Sequence, residues 1–134
     1  MGRTVTMAKK NRMRVLVVDD DPLVRNLLTA VLHDANFDLD EAVDGRDALA
    51  IAATRPPDVV VLDVMMPGLD GFEVCRTLRA DPSFEKTRIV VLTAKSTPAA
   101  RDDAFRAGAD AFFTKPFSPL DLIETVMGSR HGAA

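Results

Sequence analysis

Five short runs rich in β-branched and aliphatic residues recur along this chain, and a segment with helical periodicity follows each of them. The predicted strands are residues 14–18, 39–43, 59–62, 89–92 and 111–114. Several of these runs are apolar without alternation, which is typical of strands covered by helices on both faces of a parallel sheet. Five such units in about 120 residues predict one doubly wound α/β domain with five strands and five helices.

Start signals support the predicted helices. In each case a capping side chain precedes a proline or an acidic residue in the first turn. These signals are Asp21-Pro22, Asp70 with Glu73, Thr97-Pro98 and Ser118-Pro119. We expect Gly108 to end the fourth helix. The second helix, residues 45–53, is rich in alanine and has the weakest signal.

The distribution of charge predicts the domain boundaries. The first 14 residues carry five basic side chains and no acidic one, whereas the rest carries 12 basic and 20 acidic side chains, a formal charge of −8. We therefore expect a flexible basic extension at residues 1–13, a domain at 14–128 and a short tail at 129–134. A body of this charge repels polyanions, so we expect no direct binding of nucleic acid.

Two further features indicate where in the cell the protein is expected. No stretch approaches 18 apolar residues, so we expect no membrane span. The single cysteine, Cys75, cannot form an internal disulfide, which fits a reducing compartment such as the cytoplasm.

Polar side chains follow four of the predicted strands, at the point where each strand ends. They are Asp19, Asp20 and Asp21 after the first strand, Asp63 after the third, Thr93 and Ala94 after the fourth, and Lys115 after the fifth. Ligands bind at the carboxyl ends of the strands in such sheets. We therefore expect these residues to form one site.

The residue types at this edge favour phosphoryl chemistry with a metal ion. Clustered carboxylates repel one another unless a cation neutralises them, and oxygen ligands suit Mg²⁺. A carboxylate can act as the nucleophile, while Lys115 supplies a cation and Thr93 a hydroxyl donor. Asp21 fits a helix cap better than a metal ligand. His33 and His131 have no partner at the spacing of a zinc site, so we interpret them as surface residues.

Four motifs, taken together, resemble the receiver domain of two-component response regulators, of the single-domain type found in chemotaxis. They are VLVVDDD at 15–21, LDVMMPGLDG at 62–71, LTA at 92–94 and TKPF at 114–117. The resemblance extends from Arg14 to Met127. It implies a flavodoxin-like (βα)5 fold with the strand order 2-1-3-4-5.

The resemblance also implies a role for each residue of the site. Asp63 would accept the phosphoryl group. Asp19, Asp20 and Asp63 would hold Mg²⁺, for which Mn²⁺ could substitute, together with the backbone carbonyl of Met65. Lys115 would pair with Asp63 or with its phosphoryl group, and the bond from Lys115 to Pro116 would be cis.

Other positions would govern the response of the domain. Thr93 and Phe112 would move together as the switch. Met65, Ala94 and Lys95 would line the entrance to the site and set the lifetime of the phosphate. Phenylalanine at the switch position lacks the hydroxyl of tyrosine, so its two states would differ by packing alone.

The implied function is a signalling switch in a two-component system or phosphorelay, located in the cytoplasm. A histidine kinase or histidine phosphotransfer protein would donate the phosphoryl group, docking on the first helix near Leu23 and Leu27. The face of the fourth helix, fifth strand and fifth helix would then change shape for a downstream protein target, and hydrolysis would reset it. The protein would catalyse its own phosphorylation and dephosphorylation without turning over a small substrate. It would be a monomer or a weak dimer.

Rival interpretations fit the residues less well. A dehalogenase-type phosphatase needs a general acid two positions after its nucleophile, where this chain has Met65. A dinucleotide-binding domain needs a glycine-rich turn after the first strand, where this chain has three aspartates. Two alternatives remain open: an interaction module that is never phosphorylated, and a receiver fragment of a larger regulator with a DNA-binding or enzymatic output domain.

Overall fold

A parallel sheet of five strands forms the centre of the protein. The computed structural model describes residues 12–66, 68, 70–94 and 97–131. The strands are β1 (Arg14–Val18), β2 (Asp38–Ala42), β3 (Val59–Asp63), β4 (Arg88–Thr93) and β5 (Ala111–Thr114). Their order in the sheet is β2-β1-β3-β4-β5, with parallel pairing throughout. The predicted architecture and strand order are therefore confirmed.

Five α-helices alternate with the strands, as predicted. They are α1 (Pro22–Asp34), α2 (Gly45–Thr54), α3 (Gly71–Ala80), α4 (Pro98–Ala107) and α5 (Pro119–His131). One short 3₁₀ helix, Pro82–Phe84, was not predicted. Asp81 begins it by accepting a hydrogen bond from the N–H of Ser83, after the same Asp-Pro pattern that begins α1. None of the helices formed by the described residues has the length and apolar character needed to cross a membrane.

The central strands β1, β3 and β4 are apolar on both faces because the sheet separates two hydrophobic clusters. Side chains alternate along a strand, so Leu16 and Val18 face one cluster while Val15 and Val17 face the other. The first cluster packs against α2, α3 and α4, and the second against α1 and α5. Burial of both faces holds the sheet rigid and fixes where its carboxyl edge lies.

Some predicted boundaries differ from the observed ones. β2 starts and ends one residue earlier than predicted, because Asp38 N–H bonds to the carbonyl of Met13 and Val43 N–H bonds to the side chain of Asp47 instead. Met13 is buried, so the folded body begins before the predicted start at residue 14. α5 continues three residues beyond the predicted domain end at 128.

The predicted caps are observed at four helices. The side chains of Asp21, Asp70, Thr97 and Ser118 accept backbone hydrogen bonds at the first turns of α1, α3, α4 and α5. Gly108 ends α4 in a left-handed conformation with φ of 111°, which glycine adopts without steric cost. The N-terminal caps fix the starts of the helices at the carboxyl edge of the sheet, and Gly108 fixes the end of α4 at the amino edge.

Candidate functional site

Three carboxylates meet at the carboxyl edge of the two central strands. Val18 of β1 lies opposite Leu62 of β3, so the next residues, Asp19 and Asp63, are side by side. One carboxylate oxygen from each of Asp19, Asp20 and Asp63 lies within 4.8 Å of the others. Asp19 and Asp63 are buried and Asp20 is exposed. The cluster is therefore anchored inside the fold and open to solvent on one side.

Lys115 brings a cation to this cluster from the loop after β5. Its Nζ lies 3.1 Å from Oδ2 of Asp19 and 3.3 Å from Oδ2 of Asp63. The backbone N–H of Lys115 donates to the carbonyl of Thr93 at 2.8 Å, which ties this loop to the end of β4. The peptide bond from Lys115 to Pro116 is cis, as the resemblance implies.

Backbone N–H groups orient the two buried carboxylates. Oδ1 of Asp19 accepts from the N–H of Asp21 at 2.9 Å, and Oδ1 of Asp63 accepts from the N–H of Met65 at 2.9 Å. The other oxygen of each carboxylate then points to Lys115. The side chain of Asp21 accepts from the N–H of Leu23, so Asp21 caps α1 as predicted.

The electrostatics of the cluster favour a further cation. Burial raises the pKa of Asp63, and the nearby charge of Asp19 raises it further, although the Met65 N–H and Lys115 act in the opposite direction. Burial alone would lower the pKa of Lys115, but its contacts with Asp19 and Asp63 outweigh burial and raise it. Lys115 therefore stays charged, and it contacts two of the three neighbouring carboxylates.

The donor set fits a hard divalent metal ion. Asp19, Asp20 and Asp63 form the one group of three potential metal-binding side chains found among the described residues, and all of its donor atoms are carboxylate oxygens. Such oxygens suit Mg²⁺, which keeps part of its water shell and is bound through few carboxylates. The residues present could therefore hold the predicted kind of ion.

The remaining predicted site residues lie around this cluster. Thr93 is buried at the end of β4, one position beyond Leu92, which is opposite Asp63. Met65 is 50% exposed and Ala94 is exposed. Phe112 is half-buried in β5, against the cluster that packs on α2, α3 and α4. Lys95 lies outside the described residues.

Two surfaces implied by the resemblance are also exposed. On α1, Leu23 is 77% exposed and Leu27 is 52% exposed. An open groove of about 560 Å³ lies along β5 between α4 and α5, and Phe112 is part of its lining. These surfaces are formed by different elements, the first by α1 and the second by α4, β5 and α5.

The sequence analysis missed Arg25, which reaches the carboxylate cluster from α1. Its guanidinium donates to the backbone carbonyl of Asp19 and to the side chain of Glu41. The available signal was weak: an arginine one turn into the helix that Asp21 caps, and an acidic residue near the end of a strand. Neither feature identifies a backbone carbonyl as the partner.

Comparison with known proteins gives a consistent result. The family model of the response regulator receiver domain matches residues 15–127. The chemotaxis protein CheY4 of Vibrio cholerae is similar in structure, with a TM-score of 0.83 and 34% sequence identity, covering 88% of this chain and 98% of that protein.

Two curated relatives are longer than this chain. The transcriptional regulatory protein ResD of Bacillus subtilis is 42% identical over 87% of this chain and 48% of its own length. The DNA-binding response regulator MtrA of Mycolicibacterium smegmatis is 44% identical over 86% of this chain and 49% of its own length. The chain thus spans about half the length of the curated relatives it matches.

Proposed function

The chain belongs to the receiver domain family of two-component response regulators, and from that membership we propose that Asp63 is the residue that accepts the phosphoryl group. One observation carries the assignment: Asp63 ends a central strand, is buried, and lies beside two further carboxylates and a lysine. That arrangement provides a nucleophile, ligands for a metal ion and a fixed cation within one site.

The proposed phosphoryl uptake uses this geometry. An oxygen of Asp63 attacks the phosphorus of a phosphohistidine on a histidine kinase or phosphotransfer protein. The P–N bond breaks, its electron pair returns to the imidazole, and Asp63 becomes an acyl phosphate. Lys115, already within 3.3 Å of Asp63, neutralises part of the charge on the transferred group.

Asp19, Asp20 and Asp63, with the backbone carbonyl of Met65, are the residues proposed to hold Mg²⁺ or Mn²⁺. When bound, the ion neutralises negative charge on the carboxylates and on the phosphoryl oxygens. The chain itself orients the acceptor: the N–H of Met65 holds one oxygen of Asp63. The protein would act on itself once per signalling cycle and would not turn over a small substrate.

Thr93 and Phe112 are proposed to transmit the change. Thr93 ends the strand next to β3, and its hydroxyl would bond a phosphoryl oxygen after transfer. Phe112 lies opposite Val91 on the neighbouring strand and lines the groove between α4 and α5. Movement of Thr93 would therefore let Phe112 repack and change the α4–β5–α5 face for a downstream protein target.

Hydrolysis would reset the switch. Water attacks the phosphorus, inorganic phosphate leaves, and Asp63 returns to a carboxylate. Met65, Ala94 and Lys95 are proposed to govern the access of this water, because they follow Asp63 and Thr93 directly. The half-exposed side chain of Met65 fits this position at the entrance.

The donor protein is proposed to dock on α1, whose exposed Leu23 and Leu27 follow the loop that contains Asp19 and Asp20. We place this exchange in the cytoplasm, to which the buried free thiol of Cys75 is suited. The chain would act as a monomer or weak dimer, without direct contact to nucleic acid or membrane.

The domain arrangement is likewise proposed as the predicted basic extension, receiver and tail, with Met13 and the whole of α5, to His131, included in the receiver. The greater length of ResD and MtrA supports one alternative, in which this receiver belongs to a larger regulator with an output domain.

Intact-mass spectrometry tests the acceptor directly. The protein is incubated with acetyl phosphate in the presence of Mg²⁺ or of EDTA, and the expected product is a single phosphoryl adduct that hydroxylamine removes. We expect no adduct for Asp63→Asn, none for wild type in EDTA, and a large loss for Asp20→Asn.

Asp21→Asn provides a matched control, because it makes the same chemical change one residue from Asp20 and asparagine caps a helix as well as aspartate does. We expect it to retain phosphoryl uptake. An adduct of equal yield in Asp63→Asn would refute the assignment. If the wild type showed neither an adduct nor Mg²⁺ binding, the result would favour the interaction module that is never phosphorylated.

A further inference from the structure

Arg25 connects the carboxylate cluster to the end of β2. Its Nη1 donates to the backbone carbonyl of Asp19 at 2.9 Å, and its Nε donates to Oε1 of Glu41 at 3.2 Å. The Arg25 side chain is 16% exposed, whereas that of Glu41 is 47% exposed. The guanidinium therefore lies largely inside the fold, with one partner directly after β1 and the other on the neighbouring strand β2.

The contact with Asp19 fixes the backbone that leads to Asp20. The Asp19 carbonyl and the Asp20 N–H belong to one planar peptide unit, so a hydrogen bond to that oxygen orients the whole plane. On its other side, the N–H of Asp19 donates to the carbonyl of Ala42 on β2. Both peptide units that flank Asp19 are thus held against β2, one directly and one through Arg25 and Glu41.

Arg25 exerts two effects on a bound cation, and they have opposite signs. As a positive charge near three carboxylates, it disfavours a second cation. By holding the Asp19–Asp20 peptide, Arg25 also keeps the carboxylates in place, which favours binding of the cation. Removing a residue that orients metal ligands typically lowers metal affinity tenfold or more. The sign of the change on removing Arg25 reveals which effect dominates.

We propose that Arg25, held by Glu41, is a positioning residue that orients Asp19 and Asp20 for metal binding. The inference rests on the proposed metal site. The largely buried guanidinium donates to the carbonyl of Asp19 and to Glu41, which holds the guanidinium in place. We therefore expect its effect on the position of the metal ligands to exceed the effect of its charge on metal affinity.

Metal affinity measured apart from phosphorylation tests this proposal. The chain has no tryptophan or tyrosine, so we would titrate Mn²⁺ and follow free Mn²⁺ by electron paramagnetic resonance at fixed ionic strength. We expect Arg25→Ala to weaken binding about tenfold. Arg25→Lys should also weaken it, although it keeps the charge, because one ammonium cannot reproduce the two fixed donors. Glu41→Gln should give a smaller loss.

Arg55→Ala is the matched control. Arg55 also pairs with acidic residues of β2, with Nε 3.1 Å from Oδ2 of Asp40, and its loss removes the same charge. We expect this variant to bind Mn²⁺ as tightly as wild type or slightly more tightly. Circular dichroism and urea unfolding establish that each variant is folded under the titration conditions, so a change in stability alone is separated from a change in affinity.

Binding by Arg25→Ala that equals or exceeds that of wild type, with Arg25→Lys unchanged, would show that Arg25 acts only as a charge and would overturn the inference. If Arg25→Ala does not fold, Arg25→Lys is compared with Arg55→Ala. Weaker Mn²⁺ binding by Arg25→Lys alone supports the positioning role, and binding by Arg25→Lys as tight as that of wild type overturns it. Absence of Mn²⁺ binding in the wild type would refute the metal site as well, which distinguishes failure of the proposed function from failure of this inference.

Discussion

Arg79 and its partners at the amino edge of the sheet contrast with the aspartate cluster at the carboxyl edge. Arg79, near the end of α3, donates to the carbonyls of Phe84, Thr87 and Gly108 and pairs with Asp110. Oδ2 of Asp110 also accepts from the N–H of Ile89, the second residue of β4. In this cluster the cation is shared among several acceptors, which join α3 to the segments that lead into β4 and β5.

The carboxyl edge has the reverse balance. Of the three clustered carboxylates, two contact one lysine, and the pKa of Asp63 is raised chiefly by burial. Hydrogen-bonded polar groups stabilise a fold, whereas close like charges destabilise it unless a ligand neutralises them. The comparison teaches that the protein uses one polar cluster to hold its segments together and keeps the other incomplete for binding.

The largest predicted effect is at the amino edge. Arg79→Met should lower the free energy of unfolding by about 3 kcal/mol, since it leaves Asp110 and several carbonyls without their donor. Urea unfolding followed by circular dichroism measures this loss. Arg76→Met, at an exposed position of the same helix, should change stability by less than about 0.5 kcal/mol. Equal effects of the two changes would contradict a special role for Arg79.

Two glycines with positive φ extend the comparison to the backbone. Gly108, with φ of 111°, lies against Arg79, and an added Cβ would be 2.3 Å from its Cγ. Gly68, in the loop after β3, has φ of 77°, and a Cβ added there would meet no atom within 4 Å. We expect Gly108→Ala to cost about 2 kcal/mol or more and Gly68→Ala about 1 kcal/mol. A larger loss at Gly68 by the same unfolding measurement would reverse this order.

The smallest predicted effects have opposite signs. In EDTA at pH 7, Asp63→Asn should raise the free energy of unfolding by about 1 kcal/mol, because it relieves repulsion between carboxylates. Asp110→Asn should lower it by about the same amount, because Arg79 loses a charged partner. The chemical change is identical at both ends of the sheet, so each variant is the control for the other. Destabilisation by both would show that the carboxyl edge is not strained by its charges.

The pH dependence provides a second check on Asp63. Its pKa is raised in the folded state above the usual value of 3.8, so the folded protein binds this proton more tightly than the unfolded chain. The resulting stability is complete below pH 3.8 and is lost as the pH rises through the folded pKa. The gain from Asp63→Asn should therefore shrink as the pH falls from 7 toward 4. A gain that is constant over this range would exclude the carboxylate charge as its cause.

The sequence predicted most of the fold because its central strands, β1, β3 and β4, are buried on both faces. Val15, Val17 and Val59 lie in runs that no amphipathic helix or half-exposed strand would show. The site was predicted for a related reason: parallel strands bring their carboxyl ends together, so Asp19 and Asp63 had to be neighbours once both strands were assigned.

The two arginines that organise the clusters could not be predicted in the same way. Arg25 and Arg79 bond mainly to backbone carbonyls, which every residue carries and which leave no mark in the sequence. Their partners also lie in other segments, such as Gly108, 29 residues from Arg79. The 3₁₀ helix at Pro82–Phe84 had a local signal, but its three residues are too few to produce a periodic pattern.

The contact between Lys115 and Asp19 joins residues that are 96 positions apart in the chain. Bringing together such distant residues costs conformational entropy. A chain in which β5 has not docked would have the aspartates of β1 and β3 but not the cation. We therefore expect the complete site only in molecules in which β5 has paired with β4.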